Sequence, residues 1–193
     1  VVAEGEGRWF TVPASLDGDV TPLSPPAVDS GEVIVSLERD GDRLVTGTTF
    51  GRLIVSTLDG EPLHTADIGV AGPMASSVLG QHDIVAMGQD GILRSYDGDL
   101  HLRRSVMFGA GGFVMRASAD GRTLVLALTD FSVWAVDPVS LQVQQAIGVR
   151  SEDLRRILPS PDSARVVRVN PARHGTDSST PATVETVPLR VDR

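Results

Sequence analysis

The stretch SADGRTLVLALTDFSVWAVDPVSLQV, Ser118–Val143, decides the fold. A Ser-Ala-Asp-Gly turn leads into the apolar run Leu124–Leu128, a polar break at Thr129-Asp130, a second apolar run and an Asp137-Pro138 turn. Runs of four to six β-branched and aliphatic residues between Gly, Asp and Pro read as short strands. The pattern predicts strands at Phe113–Ser118, Thr123–Leu128, Ser132–Val136 and Val143–Val149. No segment of the chain carries an apolar stripe of helical period, and the best helical candidate, Ser151–Leu158, is short and runs into Pro159.

The same pattern recurs upstream, in RDGDRLVTGTTFGRLIVSTLDGEPL from Arg39 and LGQHDIVAMGQDGILRSYDGDLHL from Leu79. Leu44, Ile84 and Leu124 are spaced 40 residues apart, as are Leu53, Leu93 and Val133. Gly51 and Gly91 share one position of the repeat, and Phe131 takes it in the third copy. A degenerate copy, SPDSARVVRV, follows from Ser160, and GRWFTV from Gly7 resembles GRLIVS from Gly51. The repeat predicts strands at Val33–Leu37, Arg43–Thr48, Arg52–Thr57 and Pro62–Asp67, then at Met74–Leu79, Ile84–Gly88, Ile92–Tyr96 and Leu100–Val106. The Pro/Ser-rich segment Pro13–Gly31 reads as an irregular connection, and Pro171–Thr183 as a loop before a last strand, Val184–Val191.

Four short antiparallel strands in about 40 residues is the size of one β-propeller blade. A lone blade leaves two edges and two faces uncovered, so blades must stack on one another. An all-β propeller fold follows, with four to five full or partial blades: a partial one over 1–30, blades near 31–70, 71–110 and 111–150, and a degenerate one over 151–193. The copies resemble the blades of WD-repeat, YVTN-type and quinoprotein-like propellers, through the Ser-x-Asp-Gly turn, the LVLAL strand and the third strand ending at Asp137. That resemblance implies architecture from about Gly31 to Asn170. The mid-blade start and the absent initiator Met are read as signs of one part of a larger propeller chain.

The repeat also sorts three Asp-Gly-Asp triplets that look at first like carboxylate pairs. Asp40-Gly41 and Asp120-Gly121 fall between first and second strands; Asp17-Gly18, Asp59-Gly60, Asp97-Gly98 and Asp137-Pro138 fall between third and fourth. Asp-Gly suits tight turns, because glycine reaches positive φ without steric cost. The following residue is Asp19, Asp42 or Asp99 in some copies and Glu61, Arg122 or Val139 in others, so no metal site is assigned.

Composition narrows the function classes. The chain has 193 residues and a net charge of −8, opposite to what a phosphate backbone attracts, so a nucleic-acid partner is disfavoured. No cysteine is present, which removes disulfides and thiolate chemistry. No apolar run approaches the roughly 20 residues of a membrane helix. No leader is visible, which favours the cytoplasm but leaves the compartment open. The four histidines show no metal-binding spacing, no Gly-x-Ser-x-Gly elbow occurs, and GAGGF at Gly109–Phe113 suits an inter-blade connection better than a phosphate loop. No catalytic residue and no cofactor are assigned.

The expected function is a non-catalytic module that displays loops to a protein partner. One face of a propeller carries the turns between second and third strands and the links between blades. On that face the candidate binding residues are Phe50, Asp90, Phe108, Asp130 and Arg150, since aromatic and arginine side chains anchor interfaces. The alternative is a propeller enzyme or small-ligand binder, lactonase-like or lyase-like, with acids such as Asp90 and Asp130 near a central channel.

Overall fold

The computed structural model describes residues 2–5, 8–11, 21–68, 75–79, 82–118, 120–147, 157–159, 165–170 and 183–188. Among these the chain forms strands and turns, with no α-helix, and no helix is long and apolar enough to cross a membrane. Two compact units divide it, Val1–Gly111 and Gly112–Arg193.

Three sheets lie in the first unit. The first sheet holds β1 (Val2–Gly5), β2 (Arg8–Thr11) and β3 (Thr21–Leu23). The second holds β4 (Ile34–Asp40), β5 (Arg43–Thr48), β6 (Arg52–Thr57) and β7 (Pro62–Asp67), and the third β8 (Ala75–Val78), β9 (Ile84–Met87), β10 (Ile92–Tyr96) and β11 (Leu102–Met107). In the second unit, the fourth sheet holds β12 (Gly112–Ala117), β13 (Leu124–Leu128), β14 (Val133–Val136) and β15 (Val143–Ala146). The fifth holds β16 (Ile157–Pro159), β17 (Arg165–Asn170) and β18 (Thr183–Pro188). Consecutive strands pair antiparallel throughout, as a simple meander.

Strands β5, β6 and β7 have the bounds the repeat predicts. Strand β4 runs on to Asp40 because the Asp40-Gly41 turn is tight enough to pair Asp40 with Arg43. Strand β3 lies inside the segment expected to be irregular; its Pro22 is tolerated because the strand is an edge, paired only with β2.

The middle strands are buried on both faces, as unbroken runs such as LVLAL require, whereas outer strand β11 is exposed along its length. In the first unit Val45, Leu53 and Val55 of the second sheet pack with Ile84, Ala86, Tyr96 and Leu100 of the third. Each such side chain contributes about 1.5–3 kcal/mol on burial. Val125, Ala127, Val133, Ala135 and Ile147 form the core of the fourth sheet.

Polar contacts also join β4 to the third sheet, and they fall about one repeat apart in sequence. Ser36 Oγ and Ser76 Oγ are 2.7 Å apart, and Val78 N–H donates to Glu38 Oε2 at 2.8 Å. His82 Nδ1 lies 2.8 Å from Asp40, which also accepts from Arg43 Nη2 at 2.6 Å. Residues one period apart are therefore neighbours on adjacent first strands.

One turn differs from its expected chemistry. At Asp97-Gly98 the left-handed residue is Leu100 (φ 63), and Asp97 Oδ1 accepts the N–H groups of Asp99 and His101. These bonds, His101 N–H first, hold the exposed Asp97 carboxyl below its ordinary value. Gly98 serves close approach instead: a Cβ there would lie 3.0 Å from Arg43 Nη2, and Arg43 Nη1 donates to Gly98 O at 3.0 Å. Asp99 lies 3.3 Å from His64 Nε2.

Two buried hydroxyls, Thr46 Oγ1 and Ser56 Oγ, have no hydrogen-bond partner among the described residues. The sibling copies place Ala86 and Leu126 at the position of Thr46, so the repeat itself makes the site apolar. Thr46→Val keeps the shape and removes the unpaired group. It is expected to raise stability by about 1 kcal/mol, read as a higher denaturation midpoint at unchanged m-value.

Candidate interaction surface

Meander topology gives every four-stranded sheet two unlike ends. One end carries the Asp-Gly turns, first-to-second and third-to-fourth. The other carries the second-to-third turn together with the sheet's entry and exit, and is termed the linker end. At the Asp-Gly ends four acids lie against bases: Asp40 against Arg43 and His82, Asp97 against His101, Asp99 against His64, and Asp83 against Arg103.

The linker ends are different. Three strongly exposed aromatic side chains are found there: Phe50 (45%), Phe113 (43%) and Phe131 (53%). Beside Phe50 the chain enters the second sheet, with Thr49 N–H bonded to Val33 O at 2.9 Å and Val33 N–H to Thr49 Oγ1 at 2.9 Å. Val33 and Val35 are exposed at 58% and 40%. Val35 is an extra residue in β4, because Ile34 faces Thr48 while Ser36 faces Gly47. Phe113 is the extra residue at the matching place in β12. Bulges re-aim the side chain they insert.

Close to Phe50 in the chain is an ion pair that sequence reading missed, between buried Glu32 and half-buried Arg52. Glu32 accepts from Arg52 through both carboxylate oxygens, from the Thr48 hydroxyl, and from Asp29 N–H at 3.0 Å. The Arg52 hydrogen bonds, helped by Thr48 and Asp29, outweigh burial and bring the Glu32 carboxyl down to about 2. The pair fixes the base of the loop that carries Val33.

Asp90 and Phe108 meet at the linker end of the third sheet. Phe108 N–H donates to Gly91 O at 2.8 Å, and Gly111 fits against Gln89, where a Cβ would come within 2.7 Å of Oε1. Asp90 accepts from Arg94 Nη2 at 2.5 Å and from Ile92 N–H at 3.1 Å. Burial pulls its carboxyl up, but those two bonds prevail and leave it below its ordinary value. Asp130, in the fourth sheet, accepts both the N–H (3.0 Å) and the hydroxyl (2.7 Å) of Ser132, and these bonds hold its carboxyl low. Arg150 lies outside the described residues. No group of three or more His, Asp or Glu with metal-holding geometry occurs among the described residues.

No family model and no curated protein matches the chain. Solved structures do. The Neurospora crassa Pan2 WD40 domain matches with a TM-score of 0.69 at 10% identity, over 94% of this chain and 56% of that one. The C-terminal WD40 domain of Sif2 matches with a TM-score of 0.66 at 18% identity, over 98% and 54%. The fold is that of WD40 propeller blades. The chain spans about half the length of the two WD40 chains it matches. Its third strands end in Ser56-Thr57, Tyr96-Asp97 and Val136-Asp137, so the Trp-Asp dipeptide that marks WD40 repeats is replaced in each.

Proposed function

We propose that the chain is a non-catalytic WD40-type interaction module that presents the linker ends of its sheets to a protein partner. The observation that carries this reading is the placement of three exposed phenylalanines, Phe50, Phe113 and Phe131, all at linker ends. Exposed aromatic side chains held on a rigid scaffold lose little entropy on binding and supply most of the energy of a protein interface. Phe50, Asp90, Phe108, Asp130 and Arg150 remain the proposed contact residues, joined by Val33 and Val35.

Quantitative co-purification from cells tests this with three proteins: the natural chain, Phe50→Ser and Leu63→Ser. Leu63 is similarly exposed (47%) but sits beside the Asp-Gly end of the same sheet. Partners recovered with the natural chain should fall by about ten-fold or more with Phe50→Ser and persist with Leu63→Ser. Equal recovery with both variants, or loss only with Leu63→Ser, would overturn the proposal.

A further inference from the structure

The second-to-third turns of the third and fourth sheets hold the same place in the repeat, 40 residues apart, and share an aspartate. Asp90 corresponds to Asp130, Gly91 to Phe131 and Arg94 to Trp134. In the third sheet Arg94 satisfies Asp90, one oxygen taking the guanidinium and the other Ile92 N–H. Both side chains are largely buried.

In the fourth sheet the cation is gone. Trp134 stands in its place and donates its indole N–H to Ser132 Oγ at 2.9 Å. Both bonds accepted by Asp130 fall on Oδ1. No arginine pairs with Asp130 among the described residues. Asp130 is exposed, and the Ser132 bonds keep it ionised and fixed in orientation.

Phe131, the next residue, is exposed and sits at φ 67, where Gly91 sits at φ 72. A left-handed conformation is unfavourable for any residue other than glycine. The chain thus retains an exposed aromatic ring at a position that disfavours it, beside a carboxylate that has no cation among the described residues. Ring faces and carboxylates attract the same ligand, a delocalised cation.

We propose that Asp130 and Phe131 form a recognition site for an arginine side chain of a partner protein, whose guanidinium pairs with the Asp130 carboxylate as Arg94 pairs with that of Asp90. The net charge of −8 favours approach of a basic partner segment. The inference rests on the reading of the linker end as partner-facing and adds the partner's chemistry at one turn.

The test is a titration of the full isotope-labelled chain, followed by amide and indole NMR signals. The probes are two capped peptides, acetyl-Gly-Arg-Leu-amide and its citrulline counterpart, which keeps shape and hydrogen bonding but removes the charge. The arginine peptide should shift the Phe131, Ser132 and Trp134 indole signals saturably, and the citrulline peptide should not. Asp130→Asn and Phe131→Gly should each weaken the arginine peptide at least about five-fold while the remaining spectrum shows the fold intact. Equal binding of both peptides, or unchanged affinity in Asp130→Asn, overturns the assignment. Either failure leaves the Phe50 experiment standing, because that experiment reads the second sheet.

Discussion

Replacing Gly60 with alanine is expected to destabilise the protein by about 3 kcal/mol, lowering its melting temperature by roughly 6–12 °C. Gly60 turns β6 into β7 at φ 86, and its N–H donates to Thr57 O at 3.1 Å. The segment following β3 is drawn over this turn by Ser24 N–H, which donates to Leu58 O at 3.2 Å. A Cβ on residue 60 would lie 2.6 Å from Ser24 O and 2.8 Å from Pro25 O. Both are backbone atoms, so no side-chain rotation relieves the clash. Gly41→Ala supplies the control, since Gly41 also has positive φ (63) but an added methyl there would meet nothing within 4 Å. It should cost only the conformational penalty, about 1 kcal/mol. Thermal unfolding followed by circular dichroism reads the difference. Equal losses in the two variants would mean that the Ser24-Pro25 segment does not press on the turn.

Glu32→Gln is expected to cost about 2–3 kcal/mol at neutral pH, because it removes the charge that Arg52 and the Thr48 hydroxyl are arranged to bind. The pH dependence has a definite sign. The Glu32 carboxyl lies at about 2 in the folded protein against an ordinary 4.5, so the unfolded chain takes up a proton first as pH falls. The stabilisation is therefore complete above about pH 5 and is lost progressively on acidification through 4.5 towards 2. Urea denaturation at pH 7, 5 and 3 should show a constant gap between the natural chain and Glu32→Gln down to pH 5, and a narrower gap at pH 3. A gap that stays the same at pH 3 would contradict the assignment of the pair. Arg52→Ala should be at least as damaging at pH 7, since it leaves the Glu32 carboxylate buried and without its cation.

Much of the fold was legible in the sequence because the repeat acts on several physical levels at once. Leu44, Ile84 and Leu124 occupy the same buried place in three sheets, and runs such as LVLAL announce strands covered on both faces. The 40-residue period even implies the Ser36–Ser76 contact, since equal positions on adjacent first strands face each other. The site was only half legible. Phe50, Asp90 and Asp130 could be placed on one type of turn by counting from the repeat. Val35 and Phe113 could not be singled out, because an inserted bulge residue looks like any other member of an apolar strand. The strongest available signal was a departure from the repeat: Phe131 where its siblings have glycine, and Trp134 where the preceding copy has Arg94. Glu32 escaped notice because its partners, Thr48 and Arg52, belong to the following hairpin and carry no motif.

The most direct test of the partner-facing linker end is site-specific photo-cross-linking in cells, with p-benzoylphenylalanine placed at residue 50 in one protein and at residue 63 in another. Discrete cross-linked adducts to a protein partner are expected from position 50 and none from position 63. Adducts confined to position 63, or the same adducts in the same yield from both, would contradict it.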